Sequence, residues 1–167
     1  MTNNLWNITL DDGVLGNLTP PDEIVAVQCK HLDKITGGKI IAKISPCRGH
    51  DEYETPDNMF EFEFYLTSTF TPNYRYSVMF MNHKIEYYPL TLQVDIDIAK
   101  EIGKYSGYQI GLSQITAKNE EDFIATLSRI INSAKVKKVI NSLYSMIKSH
   151  ERKKDIDFGG CADDVPF

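Results

Sequence analysis

Between residues 120 and 153 the apolar side chains recur at helical spacing, but on two opposite faces. At ~100° per residue, Phe123, Ile124, Leu127, Ile130, Ile131 and Ala134 fall within an arc of about 120°. Val136, Val139, Ile140, Leu143 and Ile147 fall on roughly the opposite side. One straight helix buries a single stripe. The segment therefore predicts two helices, 120–132 and 134–152, with a break near Ser133. Asn119 can cap the first, and Glu120, Glu121 and Asp122 sit where the helix dipole favours acids. Ser133 can cap the second. A DNA-reading helix-turn-helix fits less well, because little room is left for its turn.

Ahead of this segment the period is two. Val25, Val27, Cys29 and His31 alternate with Ala26, Gln28 and Lys30; Thr36-Gly37-Gly38 turns the chain, and Lys39–Ile44 returns it. That pattern predicts a hairpin. Phe60, Phe62, Phe64 and Leu66 alternate with Glu61, Glu63 and Tyr65, as in an antiparallel strand with one buried face. Pro72-Asn73 leads into a strand over 74–80, and Asn82-His83 turns into another over 85–94, where Pro89 suggests an edge or a bulge. Residues 24–95 thus read as about five antiparallel strands. A short helix over 96–104 and one more strand over 108–115 follow. Residues 1–22 carry turn signals around Leu5, Trp6, Ile8 and Leu10, and read as a short strand or an arm that packs on the domain. The expected fold is α+β: an antiparallel sheet of about 5–6 strands, then two C-terminal helices and a flexible acidic tail. The domain spans 1–154 and the tail 155–167.

Composition narrows the function. With 18 Lys+Arg against 23 Asp+Glu the chain is mildly acidic, which argues against a protein that coats nucleic acid with positive charge. Three cysteines do not make a disulfide scaffold. The N-terminus lacks a basic-then-apolar signal, and no window approaches ~20 consecutive apolar residues. A cytoplasmic protein with reduced thiols and no membrane partner is expected.

Two constellations carry potential chemistry. Cys29-x-His31 with Cys47-x-x-His50 offers four zinc ligands, but at unorthodox spacing and with Cys29 on an apolar side; a buried thiol is the expectation, with no metal. His50, Asp51, Glu52 and Glu54 share a loop that reads as solvated and acidic. There is no phosphate-binding glycine loop, nucleophile elbow or metalloprotease motif. No catalytic residue, no cofactor and no enzymatic activity are expected.

The tail is more specific. It runs Asp155-Ile156-Asp157-Phe158-Gly159-Gly160-Cys161-Ala162-Asp163-Asp164-Val165-Pro166-Phe167. Asp163, Asp164, Val165, Pro166 and Phe167 resemble the C-terminal tip of bacterial single-stranded-DNA-binding proteins (SSB): acids, an aliphatic residue, then Pro-Phe. The likeness covers the last thirteen residues only and leaves the body unassigned. It implies a docking peptide for DNA replication and repair proteins. Phe167 can fill an apolar pocket while its α-carboxylate meets a rim Arg or Lys. Pro166 lowers the entropy lost on docking. Asp163 and Asp164 suit a basic ridge, giving salt-sensitive attraction.

The second predicted helix has a basic side. Lys137, Lys138, Asn141, Ser145, Lys148 and Arg152 share one arc, and Lys153 and Lys154 follow. A solvated face is the common outcome; a nucleic-acid patch or a cradle for the acidic tail are the functional readings. Interleaved aromatics, Phe60 to Tyr88, with Arg75 and Lys84, could stack single-stranded DNA on strands, as the SSB fold does. Glu61 and Glu63 would oppose that. The expected function is a non-enzymatic accessory protein of bacterial or phage DNA metabolism that docks through its tip and can itself bind single-stranded DNA. The rival is a small immunity-type protein whose sheet face binds a protein partner.

Overall fold

Strand pairing and helix capping together set the architecture. The computed structural model describes residues 18–47, 58–71, 73–106 and 111–157, with side chains described as far as Lys153. The chain runs α1 (Pro21–Thr36), β1 (Ile40–Pro46), β2 (Phe60–Ser68), β3 (Tyr76–His83), β4 (Leu90–Asp95), α2 (Ile96–Glu101), β5 (Leu112–Ala117), α3 (Glu120–Ile131) and α4 (Ala134–Asp157). The five strands form one sheet in the order β1-β2-β3-β4-β5, every neighbouring pair antiparallel. The fold is α+β, with the two C-terminal helices where the phase break places them.

The register explains the core. Ala42 lies opposite Leu66, Phe64 opposite Met79, Met81 opposite Leu92, and Leu92 opposite Ile115. All are buried, and all belong to one cluster with Val25 and Cys29 of α1, Ile98 of α2, Phe123, Leu127 and Ile130 of α3, and Val136 of α4. The four helices therefore cover the same face of the sheet. Each fully buried Leu, Ile, Val or Phe stabilises the fold by about 1.5–3 kcal/mol. A bulge between Phe64 and Tyr65 shifts the β2–β3 register, and Val78 is buried at that point.

Three expectations need correction. Residues 21–36 are helix α1, so the hairpin expected over 23–44 is absent. Val25, Cys29 and Thr36 are buried while Val27 is 47% exposed, a spacing of helical and not strand period. Pro21 opens the helix at a position that needs no N–H, with Asp22 and Glu23 in the first turn. The Thr36-Gly37-Gly38 turn is its C-terminal cap: Gly37 is left-handed (φ 60°) and Gly38 N–H donates to Asp33 O at 2.9 Å. Next, Asn82 and His83 end β3 instead of turning the chain, and the turn falls over residues 84–89. Finally, Pro89 precedes β4, which lies between β3 and β5 and is no edge. Ahead of the strand, proline removes no ladder bond.

Other expectations hold. Asp122 N–H donates to Asn119 Oδ1 at 2.8 Å, and Val136 N–H to Ser133 Oγ at 3.4 Å. The short helix is α2, and the last strand is β5. α4 runs on to Asp157, so residues 155–157, expected in the tail, continue its backbone. The N-terminal arm before Leu18 and the loop holding His50, Asp51, Glu52 and Glu54 lie outside the described residues.

Candidate docking and nucleic-acid surfaces

Helix α4 is built in from its root. The Glu101 carboxylate at the end of α2 accepts from Ala134 N–H, 3.0 Å to each oxygen. An acid on the first amide of a helix satisfies an orphan donor and complements the dipole. Lys135 bridges Asp95 at 2.6 Å and Asp97 at 3.0 Å, on the strand end and helix that precede it. Asp95 also caps α2, accepting from Asp97 N–H at 2.9 Å. Those carboxylates hold the Lys135 ammonium above its ordinary pKa, with Asp95 the larger influence.

Further along, Leu143 and Ile147 bury against Ile40 in a satellite cluster bordered by Leu32, Phe70, Val139 and Ile140. Lys39 reaches across to Glu151 at 2.6 and 2.9 Å. Lys148 approaches the same carboxylate at 3.5 Å, and both ammonium groups flank the Tyr144 ring, 5.8 and 5.7 Å from its centroid. The His150 ring packs against Phe70 in a tilted contact, with centroids 4.9 Å apart.

This geometry divides the basic arc. Lys137, Lys138, Arg152 and Lys153 are exposed and make no ion pair among the described residues. Lys148 shares Glu151 with Lys39, so one carboxylate between two ammonium groups leaves a net positive charge there. Two basic pairs remain, about 22 Å apart at ~1.5 Å rise per residue. A shallow groove lined by Lys137, Lys138, Asn141 and Ser145 lies over the first pair. The Lys154 side chain lies outside the described residues, as do Asp163, Asp164, Val165, Pro166 and Phe167.

The opposite side of the molecule is the uncovered face of the sheet. By register it presents Lys43, Glu61, Glu63, Tyr65, Ser77, Phe80, Asn82, Thr91, Gln93, Gln114 and Thr116, and no helix among the described residues covers it. Phe60, Phe62 and Phe64 belong to the helix-covered side: Phe64 is buried, Phe62 half-buried, and Phe60 stacks on the buried His83 at 5.5 Å. Their alternation with Glu61 and Glu63 points to the core, and the stacking array that the strand aromatics could form reduces to Tyr65 and Phe80 on the open face. Tyr65 is already occupied, with the Arg75 guanidinium 3.7 Å from its ring centroid. Arg75 in turn pairs with Glu63, which also accepts from Ser77. Burial raises the Glu63 carboxyl, and Arg75 and Ser77 outweigh it to leave the pKa below its usual value. Lys43 and Arg75 match Glu61 and Glu63 in charge, so the face is near neutral. Basic helix and open sheet face point away from each other, and no single track joins cations to aromatics.

Remaining candidates are quieter. Cys29 and His31, two residues apart on a helix, point in different directions. Burial pushes the Cys29 thiol up to about 11, while His31 is exposed. Cys47 is half-buried, its thiol raised by burial and by Glu61 and Glu63. No group of His, Cys, Asp and Glu gathers to hold a metal among the described residues. A polar cleft of about 810 Å³ lies along β5, lined by Lys104, Ser106, Gln114, Lys118 and Asp122. Sequence reasoning did not single it out, since its walls come from separate elements. Its central ions satisfy each other: Lys104 Nζ contacts Asp122 at 2.9 Å and Thr126 at 2.8 Å. No described helix is long and apolar enough to cross a membrane.

No protein-family model, no curated protein sequence and no solved structure matches this chain.

Proposed function

We propose that this chain is a non-enzymatic accessory protein of bacterial or phage DNA metabolism, working in the cytoplasm. It docks through Asp163-Asp164-Val165-Pro166-Phe167 on replication and repair proteins that hold an SSB-type tip. The observation that carries the reading is that sequence, set just beyond the last turn of α4. An aromatic after proline, preceded by two acids, suits an apolar pocket with a cationic rim. A helix fixed at its root and again at Glu151 gives the tip a firm base.

The exposed pairs Lys137/Lys138 and Arg152/Lys153 then have a role in the same reading. From Asp157 to Asp164 is seven residues, at most ~23–25 Å when extended, enough for Asp163 and Asp164 to return past Arg152 but short of Lys138, about 28 Å back along α4. The acids can rest on Arg152 and Lys153 until a partner competes them away. Single strands would meet both pairs through phosphates. Removing residues 158–167 is then expected to raise single-stranded-DNA affinity; an unchanged affinity refutes this self-docking.

The docking itself is tested by capture of replication and repair proteins on the immobilised chain. Deletion of Phe167 is expected to abolish capture, and Asp163→Asn with Asp164→Asn to weaken it most at low salt. Undiminished capture without Phe167 sinks the proposal.

One observation favours a second reading. The uncovered sheet face is neutral, hydrogen-bonding and centred on Phe80, which suits a protein partner better than a phosphate backbone. An immunity-type protein using this face would lose its partner on Phe80→Asp and keep it on tail deletion.

A further inference from the structure

The outward side of α3 carries an apolar groove that the core does not explain. Ile124 was expected in the buried stripe of its helix, yet it is 47% exposed. With Leu18, 43% exposed, and Ala125 it forms a shallow groove of about 550 Å³ rimmed by Glu120 and Glu121. The chain enters the described fold at this spot. Thr19 N–H donates to the Glu120 carboxylate at 3.0 Å, which pins Leu18 to the first turn of α3.

We infer that the N-terminal segment, residues 1–17, returns onto α3 and seats Trp6 in this groove. Three observations carry the assignment. The segment joins the fold at the groove wall itself, so no long connection has to be closed. Its turn residues Asp11-Asp12-Gly13 are centred on position 12, and a reversal there brings Trp6 beside Leu18, each six residues from the centre. The groove is apolar with a carboxylate rim, and Glu121 makes no ion pair among the described residues. An indole suits that combination better than an aliphatic side chain: a large apolar body with one N–H donor and no acceptor. This assignment is independent of the C-terminal tip.

Trp6 is the only tryptophan of the chain, so its fluorescence reports on this site alone. The experiment is acrylamide quenching of the full chain, of a peptide of residues 1–18, and of the variants Ile124→Asp, Ala125→Lys and Ile35→Asp. Ile124, Ala125 and Ile35 are all exposed, and far-UV circular dichroism checks that each variant is folded. The full chain is expected to show blue-shifted emission and several-fold weaker quenching than the peptide. Ile124→Asp and Ala125→Lys should bring quenching close to that of the peptide, while Ile35→Asp, 82% exposed on α1, leaves it unchanged. Peptide-like quenching in the unaltered chain overturns the inference, as does protection that survives both groove substitutions. Protection that disappears on dilution also overturns it, because the groove would then hold the segment of a second copy.

Discussion

Leu143→Ala tests how the outer half of α4 is held. Leu143 is 4% exposed and packs with Ile40 and Ile147 in a cluster set apart from the main core. The substitution removes three carbons, worth about 2.4 kcal/mol at ~0.8 kcal/mol each. The cavity adds to this, and comparable Leu→Ala changes cost roughly 2.7–5 kcal/mol. Its border of Leu32, Phe70, Val139 and Ile140 is only partly buried and can collapse inward, which favours the low end, about 3 kcal/mol. For a body of this size that is a fall of roughly 6–12 °C in melting temperature. Urea and thermal unfolding give the total, and amide exchange shows where it falls. Exchange should accelerate beyond Leu143 first, since Glu101, Asp95 and Asp97 still hold the root. Met146→Ala, at an exposed site of the same helix, should stay within ~0.5 kcal/mol. A loss below ~1 kcal/mol with unchanged exchange in Leu143→Ala would refute the anchoring described.

Asn119→Ala removes the acceptor for Asp122 N–H and is expected to cost about 1 kcal/mol in chemical unfolding; no loss would mean that Asp122 itself, bonded to Lys118 N–H, suffices as the cap. Asp122→Asn probes acid stability. Lys104 holds the Asp122 carboxyl below its ordinary 3.8, so its stabilisation is complete above the unfolded-state pKa and is lost as pH falls through the lower folded-state value. The stability gap between wild type and Asp122→Asn should close below about pH 4; a gap constant with pH contradicts the pairing. Among the described thiols, mass mapping after maleimide treatment at neutral pH should find Cys47 modified well before Cys29, which requires unfolding. Equal rates would show that α1 opens readily.

What could be read in the sequence was local. The break at Ser133, the Asn119 cap and the strand alternation at Phe62, Phe64 and Leu66 each depend on residues a few positions apart. Helix α1 was misread because β-branched residues at 25 and 27 imitate a strand, although Pro21-Asp22-Glu23 and Gly37 mark both helix ends. The exposure of Ile124 and the sharing of Glu151 between Lys39 and Lys148 depend on residues far away in sequence. So do the Glu101 cap on α4 and the neutral charge of the open face. Periodicity cannot carry such information. Alternation with Glu61 and Glu63 did mark Phe62 and Phe64 as core, and the structure buries Phe64 and packs Phe62 against the same cluster.

The meander has a consequence for synthesis. Every strand pairs with the one made just before it, so the sheet can assemble in the order in which the chain emerges. Of the four helices over its apolar face, α1 and α2 precede β5, while α3 and α4 come last, from Glu120 onward. A nascent chain therefore presents a finished sheet whose apolar face has only α1 and α2 over it until α3 and the root of α4 arrive. Truncation near Lys118 should yield a chain that pairs its strands and then aggregates, and a pause in translation there would prolong the same exposure.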